Sequence, residues 1–199
     1  MTSTLAPPIT VHRVTPGDAG RMRALRLEML ADSPLAFLET LAQAAARPHA
    51  DYKRRIVQAS TGGQLAQFVA DPGGRLNGHT GGGRLTSHAG GGPLVGHTGG
   101  GRLIGHAGGT VLPEDPGATV VFAVYITPAQ RGRGVLAALI DAVAEWSVAM
   151  GRDELMLEVV VGNDRAVRAY ERLGFEDTGL RVPHPVVPEL QELQMRRRA

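Results

Sequence analysis

Residues 118–126 (ATVVFAVYI) form a nearly continuous apolar run rich in β-branched side chains. Such a run reads as a strand buried on both faces. It leads through Gln130-Arg131-Gly132-Arg133-Gly134-Val135 into a helix over residues 134–150. The apolar stripe of that helix is Leu136, Leu139, Ile140, Val143, Trp146 and Met150, and Gly151 stops it. A second strand over 155–161 (LMLEVVV) follows, then a short helix capped by Asn163 or Asp164, running to Leu173 and closed by Gly174. Strands over 175–182 and 190–197 flank a proline-rich loop, 183–188. Alternating strands and helices in 199 residues predict a single α/β domain with a buried sheet.

The N-terminal part is less regular. Residues 9–14 alternate as a first strand, and 18–30 carry a helical stripe of Met22, Leu25, Leu27 and Leu30. Prolines 34 and 48 divide the following chain into short helices over 35–46 and 52–59. Residues 64–70 read as a strand, and Asp71-Pro72-Gly73-Gly74 as a turn.

Of the 27 glycines, 16 fall between Gly73 and Gly109. All but Gly73 belong to four nine-residue units: GRLNGHTGG, GRLTSHAGG, GPLVGHTGG and GRLIGHAGG, starting at Gly74, Gly83, Gly92 and Gly101. Each holds one histidine: His79, His88, His97 and His106. The array has too few apolar side chains to build its own core. It reads as tandem expansion of one strand-turn unit, with 74–100 an insertion inside the domain and a mobile surface excursion. The fourth position of each unit is Asn77, Thr86, Val95 or Ile104, so the last copy is the best candidate for the structural strand. A flexible linker and a metal-binding module are the competing readings. The array contains no carboxylate or cysteine, which weighs against metal.

Composition removes other classes. There is no cysteine, so disulfides, thiolate metal sites and cysteine nucleophiles are excluded. Lys53 is the only lysine and lacks the surroundings of a Walker loop. The net charge of +2 is too small for a nucleic-acid footprint. No apolar run has the length of a membrane span, and the first ten residues do not form a secretory signal. The expectation is a cytoplasmic protein without nucleic-acid or membrane partners, a monomer or homodimer.

Gly132 and Gly134 stand where a strand meets a helix. Bare backbone there lets an anion approach the free N–H groups and positive dipole of the helix start. Arg131 and Arg133 add charge. Two alternatives stay open at this point: a turn that merely needs glycine, and a dinucleotide fingerprint in Gly132-x-Gly134-x-x-Ala137. That fingerprint normally follows the first strand of a domain, not one beginning after residue 117.

The order strand, Arg-Gly-x-Gly turn, helix, strand ending near Asn163, short helix with a central Tyr170, then Gly174-Phe175 resembles the GNAT superfamily of N-acetyltransferases. The resemblance spans about residues 9–197 and is specific over 120–175. It implies a mixed, mostly antiparallel central sheet flanked by helices, with the glycine/histidine repeat inserted near the third strand. It implies acetyl-CoA as cosubstrate, without a metal, and a small-molecule or peptide amine as acceptor. Arg131, Gly132, Arg133, Gly134 and Val135 would receive the pyrophosphate, with Asn163 also at the cofactor. Val124, Tyr125 and Ile126 would pair with the pantetheine arm, and Tyr170 would protonate the leaving thiolate. The family pattern usually has Gly or Ala where this chain has Leu136. A non-catalytic acyl-CoA-binding or partner-binding module of the same fold is the alternative.

Glu158 interrupts the apolar strand 155–161. A buried carboxylate there would have a raised pKa and suit the base that an amine acceptor needs. The competing reading is a glutamate held by an arginine. His184, in the loop 183–188, reads as a surface histidine at the border of the acceptor site.

Overall fold

The computed structural model describes residues 9–72 and 101–199. In chain order the elements are β1 (Thr10–Arg13), α1 (Ala19–Asp32), α2 (Leu41–Ala46), α3 (His49–Thr61), β2 (Leu65–Asp71) and β3 (Gly105–Leu112). They continue with β4 (Asp115–Ile126), α4 (Val135–Ala149), β5 (Glu154–Val160), α5 (Asp164–Glu171), β6 (Glu176–Pro183) and β7 (Gln191–Arg198). The strands form one seven-stranded sheet in the order β1-β2-β3-β4-β5-β7-β6. Every neighbouring pair is antiparallel except β4–β5. A parallel pair needs a crossover, and α4 is that crossover.

The helix expected over 35–46 is shorter still in the structure. Pro34–Ala36 make one 3₁₀ turn, and the helix restarts at Leu41. Thr40 explains the restart: its hydroxyl accepts the Gln43 N–H at 3.2 Å, while Gln43 Oε1 accepts the Thr40 N–H at 2.8 Å. This reciprocal cap begins a new helix rather than continuing the old one.

Two apolar clusters hold the sheet. One lies beneath α4 and joins Leu139, Ile140, Val143 and Trp146 to Leu155, Leu157, Phe175 and Met195. The other joins Leu25, Met29 and Leu30 of α1 with Ile56 of α3, Val69, Leu103 and Tyr125.

The fourth repeat unit supplies β3. Ile104 continues its ladder on both sides, donating to the Ala70 carbonyl at 2.9 Å and accepting from the Thr127 N–H at 3.0 Å. The glycines of this strand are contact surfaces. A Cβ at Gly105, Gly108 or Gly109 would lie 2.9 Å from Leu139, 2.3 Å from Phe122 or 2.8 Å from Trp146. Helix α4 and the Phe122 ring therefore settle on bare backbone. The first three units, with His79, His88 and His97 and the insertion expected over 74–100, lie outside the described residues.

Candidate active site

The parallel pair β4–β5 is short. Only Ala118, Thr119 and Val120 pair with Glu154, Leu155 and Met156. Beyond Val120 the strands separate, while β5 stays paired to β7 along its whole length. A cavity of about 360 Å³ opens between residues 120–124 of β4 and 157–160 of β5. A larger cavity of about 470 Å³ runs past Val124, Tyr125 and Ile126, over Gly132 and Gly134, and along α5. The two share the walls Ala36, Phe37, Val124, Asn163, Ala166 and Tyr170. Tyr170 thus stands where the chambers meet.

The glycine turn has the conformation that only glycine adopts cheaply. Gly132 has φ +76° and Gly134 φ +81°. Gly134 caps α4 with no side-chain hydrogen bond, and nothing lies within 4 Å of a Cβ built at either glycine. The first N–H groups of α4 therefore lack a capping side chain at the rim of the larger chamber.

Arg131 is part of the wall. Its Nε donates to the Ile126 carbonyl at 3.0 Å, and its guanidinium reaches the Asp32 carboxylate at 2.5 Å and covers the Tyr125 ring at 5.8 Å. Burial pushes the Asp32 carboxyl up, but hydrogen bonds from Arg131 and Ser33 outweigh it and hold the group below its usual range. Arg133 is exposed, donates to Gln130 at 3.3 Å and lines neither cavity. Val135 is buried, and Leu136 forms part of the larger chamber's wall.

Two cations escaped the sequence reading. Arg165 and Arg172 both line the larger chamber. They stand seven residues apart, Arg165 in the first turn of α5 and Arg172 at its C-cap, and that spacing was the available signal. Among the described residues Arg172 forms no side-chain hydrogen bond or ion pair.

The Tyr170 ring packs edge-on against Phe175, with centroids 5.7 Å apart. Burial pushes its hydroxyl far above the ordinary phenol range, so it stays protonated at neutral pH. Asn163 caps α5 by accepting the Ala166 N–H at 3.3 Å.

Glu158 differs from expectation. It lines the smaller chamber but is exposed, because β4 has already left β5 at this point. The buried carboxylate of that chamber is Glu192 on β7. Burial raises its pKa; His184 opposes the rise and Glu158 adds to it. The register pairs Val160 with Glu192 and Glu158 with Gln194, so the two glutamates are diagonal neighbours on one face. His184 is also corrected: it is 2% exposed. Its Nδ1 accepts the N–H groups of Val186 and Val187 at 3.2 and 3.0 Å, which ties down the proline-rich loop.

A second histidine shapes β4 itself. The β3–β4 register shifts between His106 and Gly108, and Ala123 there has φ +50°, the one positive value among described non-glycine residues. The shift is a β-bulge that re-aims the strand at the point where both chambers touch Val124. The Ala123 carbonyl accepts a hydrogen bond from His106 Nδ1 at 2.7 Å. His106 is buried, and desolvation lowers its pKa to about 4. It is therefore a neutral donor locked onto the bulge.

A model of the acetyltransferase (GNAT) family matches residues 71–175, over half the chain. The chain belongs to the GNAT acetyltransferase family.

A mycothiol acetyltransferase of Corynebacterium aurimucosum is 40% identical over 62 residues, which are 31% of this chain and 20% of that protein. The chain thus matches about a fifth of that relative's length. A GNAT acetyltransferase from Streptococcus pneumoniae has the same fold with a TM-score of 0.68 at 15% identity, covering 96% of this chain and 99% of the other. A GCN5-related N-acetyltransferase from Kribbella flavida gives 0.65 at 18% identity, over 96% and 98% of the two chains. Spermidine N-acetyltransferase from Vibrio cholerae, solved with CoA and spermine, gives 0.64 at 15% identity, over 96% and 95%. At these identities the structural likeness is one of fold.

Of the residues expected at a GNAT site, the larger chamber gathers Val124, Tyr125, Ile126, Arg131, Gly132, Gly134, Asn163 and Tyr170. Glu158 stands in the smaller chamber, while Arg133 and Val135 line neither. Among the described residues no helix is long and apolar enough to cross a membrane.

Proposed function

We propose that the protein is an acetyl-CoA-dependent N-acetyltransferase acting on a primary amine through a ternary complex. The observation that carries this reading is the meeting of two chambers at Tyr170, in the opening between β4 and β5. The larger chamber suits acetyl-CoA. Its left-handed glycines and the start of α4 offer N–H groups to the pyrophosphate, and Arg165 and Arg172 add charge for phosphates. The backbone of Val124–Ile126, unpaired on its β5 side, suits an extended pantetheine arm. The smaller chamber takes the amine.

The chain's own groups then divide the work. At neutral pH an alkyl ammonium is only about one part in a thousand neutral, so a proton must leave before attack. The pair Glu158 and Glu192 receives it, and the exposed Glu158 passes it to solvent. The amine nitrogen forms a bond to the thioester carbon, the carbon–sulfur bond breaks, Tyr170 gives its proton to the departing sulfur, and the excess proton on the new amide nitrogen restores the Tyr170 hydroxyl. Backbone N–H groups of the bulged β4 face the carbonyl oxygen and polarise it.

Thermal stability with acetyl-CoA and with NAD, followed by thiol release across a panel of amines, tests this reading. It predicts a raised Tm with acetyl-CoA alone and thiol release that depends on amine. Stabilisation by NAD instead overturns it. Acetyl-CoA binding without thiol release on any amine points to a non-catalytic module.

A further inference from the structure

Behind the acceptor chamber lies a third cavity of about 140 Å³. It shares Arg26, Phe122 and Ala123 with the acceptor chamber, so the two adjoin. Its charge is unbalanced: the lining holds the three guanidinium groups of Arg26, Arg47 and Arg55, and one carboxylate, Glu39. Arg26 Nε donates to Glu39 Oε2 at 3.2 Å, and Arg47 ion-pairs with Oε1 of the same group. Arg55 has no ion pair among the described residues. Two of the cations are also held in place by rings: Arg26 lies 5.1 Å from the Phe37 centroid and Arg47 5.5 Å from that of Tyr52. This is a preformed cationic recess of a size for one small anionic group.

The acceptor chamber is acidic at its other end, where Glu158 and Glu192 come from β5 and β7. Two adjoining cavities thus offer carboxylates near Tyr170 and guanidinium groups beyond Phe122. We propose that this recess is the subsite for a carboxylate carried by the acceptor, which makes the acceptor class amino acids or peptides that present an amine and a carboxylate together. The amine lies between the glutamates and Tyr170. The carboxylate accepts hydrogen bonds from Arg55 and Arg26. This assignment rests on the acetyltransferase reading above for the amine end, but the recess itself is a binding claim that can be read without turnover.

The test uses a series of ω-amino acids of rising length and their carboxamides, which remove the charge and keep the shape. kcat/KM for the best acid should exceed that of its amide at least tenfold, and Arg55→Gln should shrink that ratio by raising KM for the acid. Equal kcat/KM for acid and amide along the whole series overturns the proposal. So does an Arg55→Gln variant that lowers both by the same factor. In parallel, butyrate and butyramide are titrated into the intact protein and followed by NMR. Butyrate should shift the signals of residues lining the recess, at least fivefold more weakly bound in Arg55→Gln, and butyramide should not. No butyrate response overturns the subsite even if amines are acetylated. A butyrate response with no acetylation of any amine sinks the enzymatic reading and leaves the anion site standing.

Discussion

Glycine does two opposite jobs on either side of β4. On β3, Gly105, Gly108 and Gly109 are valuable for the missing side chain, because Leu139, Phe122 and Trp146 occupy the space a Cβ would take. In the turn before α4, Gly132 and Gly134 face empty space and are valuable for a left-handed backbone. The first set closes the sheet against a helix. The second leaves bare N–H groups at an open chamber. Changes in the closed region should therefore cost stability, and changes in the open region should cost activity.

The strongest separation is expected at Tyr170. Tyr170→Phe removes only the hydroxyl, and a general acid contributes on the order of 100-fold to turnover. kcat should fall by about that factor, with CoA affinity and unfolding midpoint unchanged. The mirror case is Gly109→Val, which forces atoms between Trp146, Thr119 and Val143. Overpacking of this kind costs roughly 1–3 kcal/mol, measurable by urea unfolding, with kcat per folded molecule retained. If that variant instead keeps its stability and loses turnover, the division between the two regions fails.

Gly134→Ala tests the open side. No atom obstructs the new methyl group, but a left-handed alanine costs roughly 1–2 kcal/mol. The turn should relax, weakening acetyl-CoA about tenfold by calorimetry, by the same strain energy. His106 sits on the boundary. His106→Leu strips the donor from the Ala123 carbonyl and should lower kcat about fivefold, equivalent to about 1 kcal/mol. His106→Asn, whose amide nitrogen replaces Nδ1, should restore most of it.

The same histidine sets a pH dependence. It titrates near 4 when folded and near 6.5 when unfolded, so the unfolded chain binds more protons between those values. Stability from its burial is complete above about pH 6.5 and is lost as pH falls towards 4, by about 3 kcal/mol for a shift of this size. Urea unfolding at pH 7 and 4.5 should show a steeper loss in wild type than in His106→Leu. The smallest effect is expected from deleting residues 74–100. The fourth unit already supplies β3, so we propose that the shortened chain folds and binds CoA as before. Failure to fold, judged by circular dichroism, would show that an earlier copy is needed.

The open side was largely legible in the sequence. The glycine turn and the short helix after Asn163 follow from local spacing, which survives into the fold, and Tyr170 follows from the resemblance to the GNAT superfamily. What stayed hidden depends on contacts between distant segments. Glu158 looked buried because its strand is apolar, but exposure there comes from β4 leaving β5, which no single strand records. His184 looked like a surface residue because its loop is rich in proline, yet two backbone N–H groups of that loop close over its ring. His106 repeated a pattern shared with three other histidines, and only sheet register placed it under the bulge. The recess around Glu39 joins α1, the chain before α2, and α3, so its charge imbalance exists only after packing.

The central claim is that acetyl-CoA and amine occupy the two chambers together, with Tyr170 between them. Initial velocities over a grid of acetyl-CoA and amine concentrations test it most directly. Double-reciprocal lines should intersect, the mark of a ternary complex. Parallel lines, the mark of an acetylated enzyme formed before amine binds, would contradict it.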